Sequence, residues 1–257
     1  VEVDKEEALR YFKIGADQND SNCLYNIASM IDEGEGVEMN KEEALLYYKK
    51  AADNGNKEAM YKYGMMLKDG QGTEQNAKEG CRYIKIAVNK GQVDALNQYG
   101  LMLKDGIGIA KDEEEACFYF KMAAEKGQID GMYNYSFMLK EGLGTEINEK
   151  ESINYLKMAA EQGHVDAMYD YALLLEEGNK VPMNEKEASK YYKLSAEKGN
   201  PKAMFKYALI LEKNESDKDL AYQFFKEAAD KGIAEAMHHY MEVLTKEEEK
   251  ANNNDEE

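Results

Sequence analysis

Apolar and small side chains recur along this chain at the spacing of an α-helix. In each stretch they occupy positions i, i+3, i+4 and i+7, which places them on one helical face. Two consecutive stretches show the pattern at Ala44, Tyr47, Tyr48 and Ala51, and then at Met60, Tyr63, Gly64 and Leu67. Polar residues fill the other positions, and short Gly- or Asn-containing segments separate the stretches. The pattern predicts amphipathic helices without strands.

The helical pattern itself repeats every 36 residues. The string AMYKYGMMLKDGQG, at residues 59–72, returns as ALNQYGLMLKDGIG, GMYNYSFMLKEGLG and AMYDYALLLEEGNK, each 36 residues after the last. The final step, from Ala203 to Ala236, shortens to 33 residues. A fixed period of this length indicates stacked supersecondary units rather than one globular core.

Each unit carries signals for the ends of two helices. The second helix begins at an Asn or Asp that is followed three residues later by Glu, which is the pattern of a capping box. The five pairs are Asn40 and Glu43, Asn76 and Glu79, Asp112 and Glu115, Asn148 and Glu151, and Asn184 and Glu187. Glycines follow these helices, from Gly55 to Gly232, where a left-handed residue is favoured, and Asn19 takes that place in the first unit. A Gly-x-Gly loop follows the first helix in the earlier units, as at Gly70 and Gly72.

The combined pattern resembles the Sel-1-like repeat, a relative of the tetratricopeptide repeat. It reads A-x-Y-x-Y-G-x-x-L-x-x-G-x-G, followed by D/N-x-x-E-A-x-x-Y-Y-K-x-A-A-x-x-G. The resemblance implies an all-α fold, an α/α right-handed superhelix (solenoid) with a 36-residue period. We expect the solenoid at residues 1–245, with a partial first unit, about six full helix pairs and a terminal helix. Residues 246–257 are polar and acidic, and we expect them to form a disordered tail.

Charge and hydropathy limit the partners of this chain. The formal net charge is −18, whereas nucleic acid and anionic lipid surfaces require clustered Lys and Arg. The longest apolar runs are far shorter than the ~20 residues of a membrane-spanning helix. We therefore expect no nucleic-acid partner and no membrane contact by this segment. Val1 to Asp4 matches the middle of a unit, at Val37 to Asn40, which suggests a monomeric fragment of a longer chain.

Candidate catalytic and metal-binding residues are few. The string Ser195-Ala196-Glu197-Lys198 fits the S-x-x-K motif of serine β-lactamases, and some cysteine-rich relatives of the family are described as β-lactamase-like. Ser195, however, takes the place of a small packing residue, and the other motifs of those enzymes are absent. The histidines His164, His238 and His239 have no spacing suited to a metal. We therefore predict no catalytic residue, no cofactor and no metal.

Three cysteines bear on the compartment. Cys81 and Cys117 occupy equivalent positions of adjacent units, too far apart for a disulfide, and Cys23 faces Ala16 where a partner cysteine would be needed. Buried thiols that pack as small core residues are the simplest interpretation, and they favour a reducing compartment such as the cytoplasm. The lumen of the endoplasmic reticulum remains an alternative.

The strongest candidate for a binding site is a surface on the first helices. By the tetratricopeptide arrangement that the resemblance implies, the concave side carries an aromatic column beside an apolar one, with acids at the border. Large apolar patches usually mark a partner, although the same side chains could also pack across repeats. The aromatic column comprises Tyr25, Tyr61, Asn97, Tyr133, Tyr169, Phe205 and His238, with Asn97 and His238 as departures. The apolar column comprises Met65, Leu101, Phe137, Leu173 and Leu209, and the acids are Asp94, Asp130 and Asp166.

Three functional hypotheses follow. The first is a non-enzymatic adaptor or scaffold for protein–protein interaction, which holds a basic and apolar partner peptide or helix in the concave groove. The second, implied by the resemblance, is a scaffold subunit of a protein-degradation complex in the endoplasmic reticulum. The third is a β-lactamase-like enzyme. The sequence favours the adaptor.

Overall fold

The fold is described from a computed structural model, in which residues 5–213 and 217–254 are placed. Over these residues the chain forms fourteen α-helices joined by short turns, without a strand. The helices are α1 (Lys5–Asp17), α2 (Ser21–Glu33), α3 (Lys41–Asp53), α4 (Lys57–Asp69), α5 (Ala77–Asn89), α6 (Val93–Asp105), α7 (Glu113–Glu125), α8 (Ile129–Glu141), α9 (Glu149–Glu161), α10 (Val165–Glu177), α11 (Glu185–Glu197), α12 (Pro201–Leu211), α13 (Lys218–Asp230) and α14 (Ala234–Asn254). The all-α prediction is confirmed.

The chain divides into two compact units, residues 1–149 and residues 150–257. In unit 1 each helix from α1 to α8 packs against the next, and α6 also contacts α8 directly. The core of this unit alternates small and large side chains, because helices approach closely only where one of the two residues is small. Ala44, Ala59 and Ala95 are fully buried beside large residues such as Tyr48 and Phe120.

Unit 2 is built by the same rule. Helices α10 to α14 pack consecutively, each against the one that follows. Ala167, Ala172 and Ala203 are fully buried, and Tyr192 and Phe225 are the large side chains of this core. Each unit therefore buries a continuous core through contacts between neighbouring helices.

The predicted caps begin the second helices as expected. The Asn40 side chain accepts a hydrogen bond from the Glu43 backbone N–H at 3.1 Å, and Asp112 accepts one from Glu115 at 2.9 Å. Asn184 does the same for Glu187 at 3.1 Å. Its side-chain amide also donates to the Glu187 carboxylate at 2.9 Å, so the Glu side chain meets the cap residue itself. These bonds satisfy N–H groups that the first turn leaves without partners.

The second glycine of the Gly-x-Gly loop is required by contact between repeats. Gly72 has a φ of +70°, and a Cβ there would overlap the backbone carbonyl of Lys41, at the start of α3. Gly108 and Gly144 meet the carbonyls of Ala77 and Glu113 in the same way. Only glycine tolerates both the positive φ and the close approach. The loop therefore seats each repeat of unit 1 on the second helix of the repeat before it.

One position of the first helices is kept small by the packing of the neighbouring helix. A Cβ on Gly64 would lie 2.8 Å from Cγ1 of Ile84 and 2.9 Å from the Gly80 carbonyl oxygen. On Gly100 it would lie 2.8 Å from the Phe120 ring. The second helix of the same repeat therefore approaches the first helix closely at both sites.

The last helix extends past the predicted end of the solenoid. Helix α14 continues to Asn254, so residues 246–254 have helical backbone where the sequence suggested a disordered tail. Residues 246–250 are all Lys or Glu, which are good helix formers. Met241 and Glu242 are exposed on this helix. The predicted boundary at residue 245 thus falls within α14, and residues 1–4, 214–216 and 255–257 lie outside the described residues.

Candidate functional site

The predicted surface residues all lie on the first helix of a repeat, and we call this surface the first-helix face. In unit 1 it belongs to α2, α4, α6 and α8, and in unit 2 to α10 and α12. Phe137 is 40% exposed, and the three acids are exposed. The half-buried members are Tyr25, Tyr61, Met65, Leu101, Tyr133, Tyr169, Leu173, Phe205 and Leu209. The face thus presents the edges of large side chains whose other edges pack inward.

In unit 2 the aromatic column packs on rings of the second helices. The Tyr169 ring centroid lies 5.9 Å from that of Tyr192, and Phe205 lies 6.0 Å from Phe225. Phe205 also lies 5.7 Å from the ring of His239. These distances are those of ordinary aromatic contacts in a core. The column in this unit therefore contributes to repeat packing as well as to the surface.

In unit 1 the aromatic column has a gap. Tyr25 packs on Tyr48 with ring centroids 5.7 Å apart, but the position after Tyr61 holds Asn97. Asn97 is only 7% exposed, and its Oδ1 accepts a hydrogen bond from Nδ2 of Asn134 at 2.7 Å. Where the neighbouring repeats place a ring, this repeat places a short amide that bonds to α8, the first helix of the next repeat.

A cavity of about 420 Å³ opens at this gap. Tyr25 and Tyr61 form aromatic parts of its wall, and Asn97 lies in it where another ring would stand. The carboxylates of Glu58, Asp94 and Asp130 also line the cavity, together with the amides Gln92, Gln98 and Gln128 and the ammonium group of Lys62. Pockets of about 300–1,000 Å³ are the usual size of ligand sites. Asp94 and Asp130 thus line one cavity together with Tyr25 and Tyr61.

The electrostatic potential in the cavity is negative. Burial, together with the charges of Asp94, Asp130 and Asp69, raises the pKa of Tyr61. Burial likewise raises the pKa of Tyr25, and Glu58 and Glu33 add to the effect. Both phenols remain neutral at physiological pH, so the two rings can act as hydrogen-bonding and π surfaces.

The N-cap residues of the first helices explain why this part of the face is open. Asn56 caps α4 at Ala59 and also donates 3.0 Å to Asn22, one repeat earlier. In unit 2, Asn200 caps α12 and donates 2.9 Å to Asp166. A short Asn can thus close its helix and tie down the side chain of the preceding repeat at once.

The two glutamines at the equivalent positions behave differently. Gln92 caps α6 and turns back on Asp94 of its own helix, at 2.6 Å to the backbone N–H and 3.3 Å to the carboxylate. Gln128 begins α8 without a side-chain cap bond, and its Oε1 is buried without a hydrogen-bond partner. These are the two caps that border the cavity.

Sequence reasoning missed the cavity, although the signal was present. Asn97 stands in a column whose other members in unit 1 are tyrosines, and Gln128 stands at the N-cap position that Asn56 and Asn200 hold in two other repeats. The side chains of both departures line the same cavity. Comparing the equivalent residues of the column for those that differ from the consensus would have located the site.

A polar network in unit 2 was also missed. The Tyr192 hydroxyl donates to Glu176 Oε2 at 2.6 Å, and the Lys206 ammonium donates to the same oxygen at 2.9 Å. Burial alone would raise the pKa of Glu176, but the bonds from Lys206 and Tyr192 lower it. The signal in the sequence is an acid sixteen residues before a Tyr, which also occurs at Asp32 and Tyr48.

The serine considered for catalysis is buried in the core and is not accessible to a substrate. Ser195 is fully buried, and its hydroxyl donates to the Val165 carbonyl at 2.8 Å, so it cannot act as a nucleophile on a substrate. Among the described residues, no group of three His, Cys, Asp or Glu could hold a metal. Cys81 and Cys117 are buried free thiols, whereas Cys23 is only half-buried, because it lies at the surface end of α2 against Gly15. Burial raises the pKa of the Cys81 thiol.

None of the helices in the described ranges is long and apolar enough to cross a membrane. The helix pairs, the loops between repeats and the first-helix face together define an α-helical repeat protein of the tetratricopeptide-like class. The family model of the Sel1 repeat matches seven consecutive segments, residues 1–20, 21–56, 57–92, 93–128, 129–164, 165–200 and 201–233. The chain belongs to the Sel1 repeat family.

Solved structures with this fold support the assignment. A Sel1 repeat protein from Oxalobacter formigenes is 26% identical with a TM-score of 0.82, over 88% of this chain and 94% of that one. A protective antigen of uropathogenic Escherichia coli strains that displays an SLR fold is 26% identical with a TM-score of 0.80. The alignment covers 96% of this chain but 53% of the antigen, so the chain spans about half the length of that relative.

A more distant neighbour shares the fold alone. The Pseudomonas aeruginosa protein pilF is 17% identical with a TM-score of 0.58, over 90% of this chain and 99% of that one. A search of the curated proteins gives no match. Proteins built from such repeats generally bind other proteins and are typically non-catalytic, and the fold by itself does not name the partner.

Proposed function

We propose that this protein is a non-enzymatic adaptor that holds a partner peptide or helix on its first-helix face, in the groove that the repeat pattern predicts on the concave side. The single observation that carries the proposal is the register of this face. Aromatic and apolar side chains recur on successive first helices, half-exposed, with exposed carboxylates beside them.

The large side chains of the first-helix face are already partly ordered before a partner binds. Tyr and Phe supply much contact area, and each loses little conformational freedom on binding because its inner edge is fixed by packing. Tyr169 and Phe205 are held in this way by rings of the second helices. A partner that covers their outer edges would complete their burial.

The acidic border sets the charge of the partner. Asp94, Asp130 and Asp166 are exposed in the first turns of three first helices, and the chain carries a net charge of −18. Carboxylates at the rim of an interface steer association with basic surfaces more than they hold the complex. We therefore propose a partner segment that combines Lys or Arg with apolar residues.

The proposal is tested by replacing Tyr61, Tyr133 and Tyr169 with Ala. The partner is first identified by affinity capture from the source cells, and its binding segment is then purified and titrated directly. Aromatic anchors are each worth ~2 kcal/mol or more, so the triple variant should lose detectable binding. Its melting temperature should fall, because Tyr169 also packs on Tyr192, but the variant should remain folded at the temperature of the titration.

A matched control is available on the second helices. Leu46 and Phe118 are exposed apolar residues of α3 and α7, and changing both to Ala removes similar surface outside the first-helix face. This double variant should bind the partner segment normally. Loss of binding in the control but not in the Tyr variant would move the site to the second helices, and unfolding of the Tyr variant would show that the column serves packing instead.

A further inference from the structure

We propose that the cavity at the Asn97 gap in unit 1 accepts an arginine side chain of the partner polypeptide. The inference rests on the proposed adaptor function and names the residue type that this part of the face would recognise. It concerns a single cavity between α2, α4, α6 and α8, whose lining residues all belong to unit 1.

The shape of the cavity calls for a flat group beside aromatic rings. The rings of Tyr25 and Tyr61 form part of the wall, and Asn97 leaves the space that a further Tyr ring fills in other repeats. A guanidinium group is planar and stacks on aromatic faces, so it can take the place of the missing ring.

The charged groups of the wall are mainly carboxylates, which accept hydrogen bonds. Glu58, Asp94 and Asp130 contribute three carboxylates, against the one ammonium group of Lys62. Gln128 adds an oxygen that is buried and has no hydrogen-bond partner. A buried acceptor without a partner is costly, and a ligand with several N–H donors would relieve that cost once the Gln128 side chain turns toward it. The raised pKa of Tyr61 is consistent with the negative potential in which a cation would sit.

Arginine fits this set better than lysine. Its five N–H donors lie in a rigid plane and can reach two acceptors on one side while the face stacks on a ring. A lysine ammonium is a more strongly hydrated point charge, and it would lose more hydration on entering a half-enclosed cavity. Both side chains carry one positive charge, so charge alone would not make one bind more tightly than the other. A preference for arginine therefore tests the geometry of the cavity.

In unit 2 the residues equivalent to Asp94, Asn97 and Gln128 are Asp166, Tyr169 and Asn200, and they engage one another or the core. There Asn200 donates 2.9 Å to Asp166, which engages the acid, and Tyr169 fills the column with a ring packed on Tyr192. The cavity of unit 1 therefore depends on two local departures, Asn97 in the column and glutamine at the caps.

The test uses the whole chain and a small probe, Nα-acetyl-arginine amide, titrated in an NMR experiment that follows the side-chain amides of Asn97 and Gln128. We expect saturable shifts at these amides with a roughly millimolar dissociation constant, as befits a ligand of few atoms. The lysine analogue should bind about tenfold more weakly, and the uncharged citrulline analogue should not bind measurably.

Three variants locate the site. Asn97→Tyr should abolish binding by restoring the ring. Asp94→Asn combined with Asp130→Asn should weaken binding about tenfold or more without disturbing the fold, because both positions are exposed. Lys62→Gln should strengthen binding severalfold, because it removes the one positive charge of the wall. The second and third variants keep the test valid even if the first disturbs the fold.

Specific results would overturn the inference. Equal binding of the arginine and citrulline analogues would do so, as would shifts centred outside the cavity or no shifts at all. Tighter binding of spermidine than of the blocked arginine would assign the cavity to a free small cation instead. If the blocked arginine fails to bind but the Tyr61, Tyr133 and Tyr169 variant loses partner binding, the adaptor function stands without the arginine site. If the blocked arginine binds but that variant keeps its partner binding, the arginine site stands and the adaptor function is removed.

Discussion

The same column of the repeat is open in unit 1 and filled in unit 2. Asn97 stands beside a cavity of about 420 Å³, whereas Tyr169 and Phe205 pack their rings on Tyr192 and Phe225. The first helices α6 and α10 both have 13 residues, and the difference in this column comes from side chains at the column and at the caps. Repeats of one design can thus carry different surfaces, because each position of a first helix is specified independently of its equivalents.

The loops differ between the units in a second way. Gly72 of unit 1 has a positive φ and lies against the Lys41 carbonyl, while the equivalent position of unit 2 holds Lys180, whose backbone lacks a positive φ. Unit 1 therefore depends on glycine for its seating, and unit 2 reaches its packing by another loop path. Four experiments test how far the two units differ.

The largest effect is expected at the glycine of the loop. Gly72→Ala should destabilise unit 1 by about 2–4 kcal/mol, because it adds strain at positive φ and overlap with a backbone carbonyl that cannot swing away. Lys180→Ala should change the free energy of unfolding of unit 2 by less than about 0.5 kcal/mol. Urea denaturation combined with hydrogen exchange, which separates the units, measures both. Equal effects would mean that the loops are equivalent after all.

The next effect concerns the two tyrosines with acid partners. Tyr192→Phe removes a 2.6 Å hydrogen bond to Glu176, whereas Tyr48→Phe removes a 3.5 Å contact with Asp32. We expect a loss of about 1–1.5 kcal/mol for the first and less than half of that for the second. Thermal unfolding of the two single variants provides the measurement, and a larger loss at Tyr48 would contradict the geometry.

Exchanging the N-cap residues should change the free energy of unfolding by less than the preceding changes do. It should destabilise unit 2 and stabilise unit 1. Asn200→Gln should cost about 1 kcal/mol, because the longer side chain cannot both cap Ala203 and reach Asp166. Gln128→Asn should stabilise unit 1 by about 0.5–1 kcal/mol by supplying the missing cap. Chemical denaturation of each variant reports the change, and the same sign in both would refute the cap argument.

The smallest effect is a pH dependence of unit 2. The folded-state pKa of Glu176 is lowered, so its contribution to stability is present above the unfolded value of about 4.3 and is lost as the pH falls through the folded pKa. Because the side chain is partly exposed, the change should be slight. Glu176→Gln should remove this part of the acid dependence of the melting temperature, while Glu177→Gln serves as the neighbouring control. An unchanged profile in the Glu176→Gln variant would exclude the network as its source.

Local rules predicted the framework of each repeat. Caps such as Asn40, small positions such as Gly64 and left-handed residues such as Asn19 are decided by neighbours within a few residues, and the sequence shows those neighbours directly. Because the sequence is periodic, the same local structure then recurs at the equivalent positions of the next repeat. The helices and their packing order could therefore be predicted from the pattern.

The cavity could not be predicted in the same way. It depends on Asn97 turning to Asn134 and on Gln128 failing to cap α8, and both are choices between alternative partners for one side chain. Such choices are decided by distances across repeats, which a sequence pattern does not contain. The helical backbone of residues 246–254 was missed for another reason, since intrinsic propensity outweighed low hydrophobicity there.

The side-chain bonds between repeats also have a bearing on synthesis. They join residues close together in the chain, 34 positions apart for Asn56 and Asn22, 37 for Asn134 and Asn97, and 30 for Lys206 and Glu176. Contacts of such short sequence separation form quickly and need no distant segment of the chain. Each repeat can therefore complete its bonds as soon as the following one leaves the ribosome, and folding can keep pace with translation from the N-terminal end.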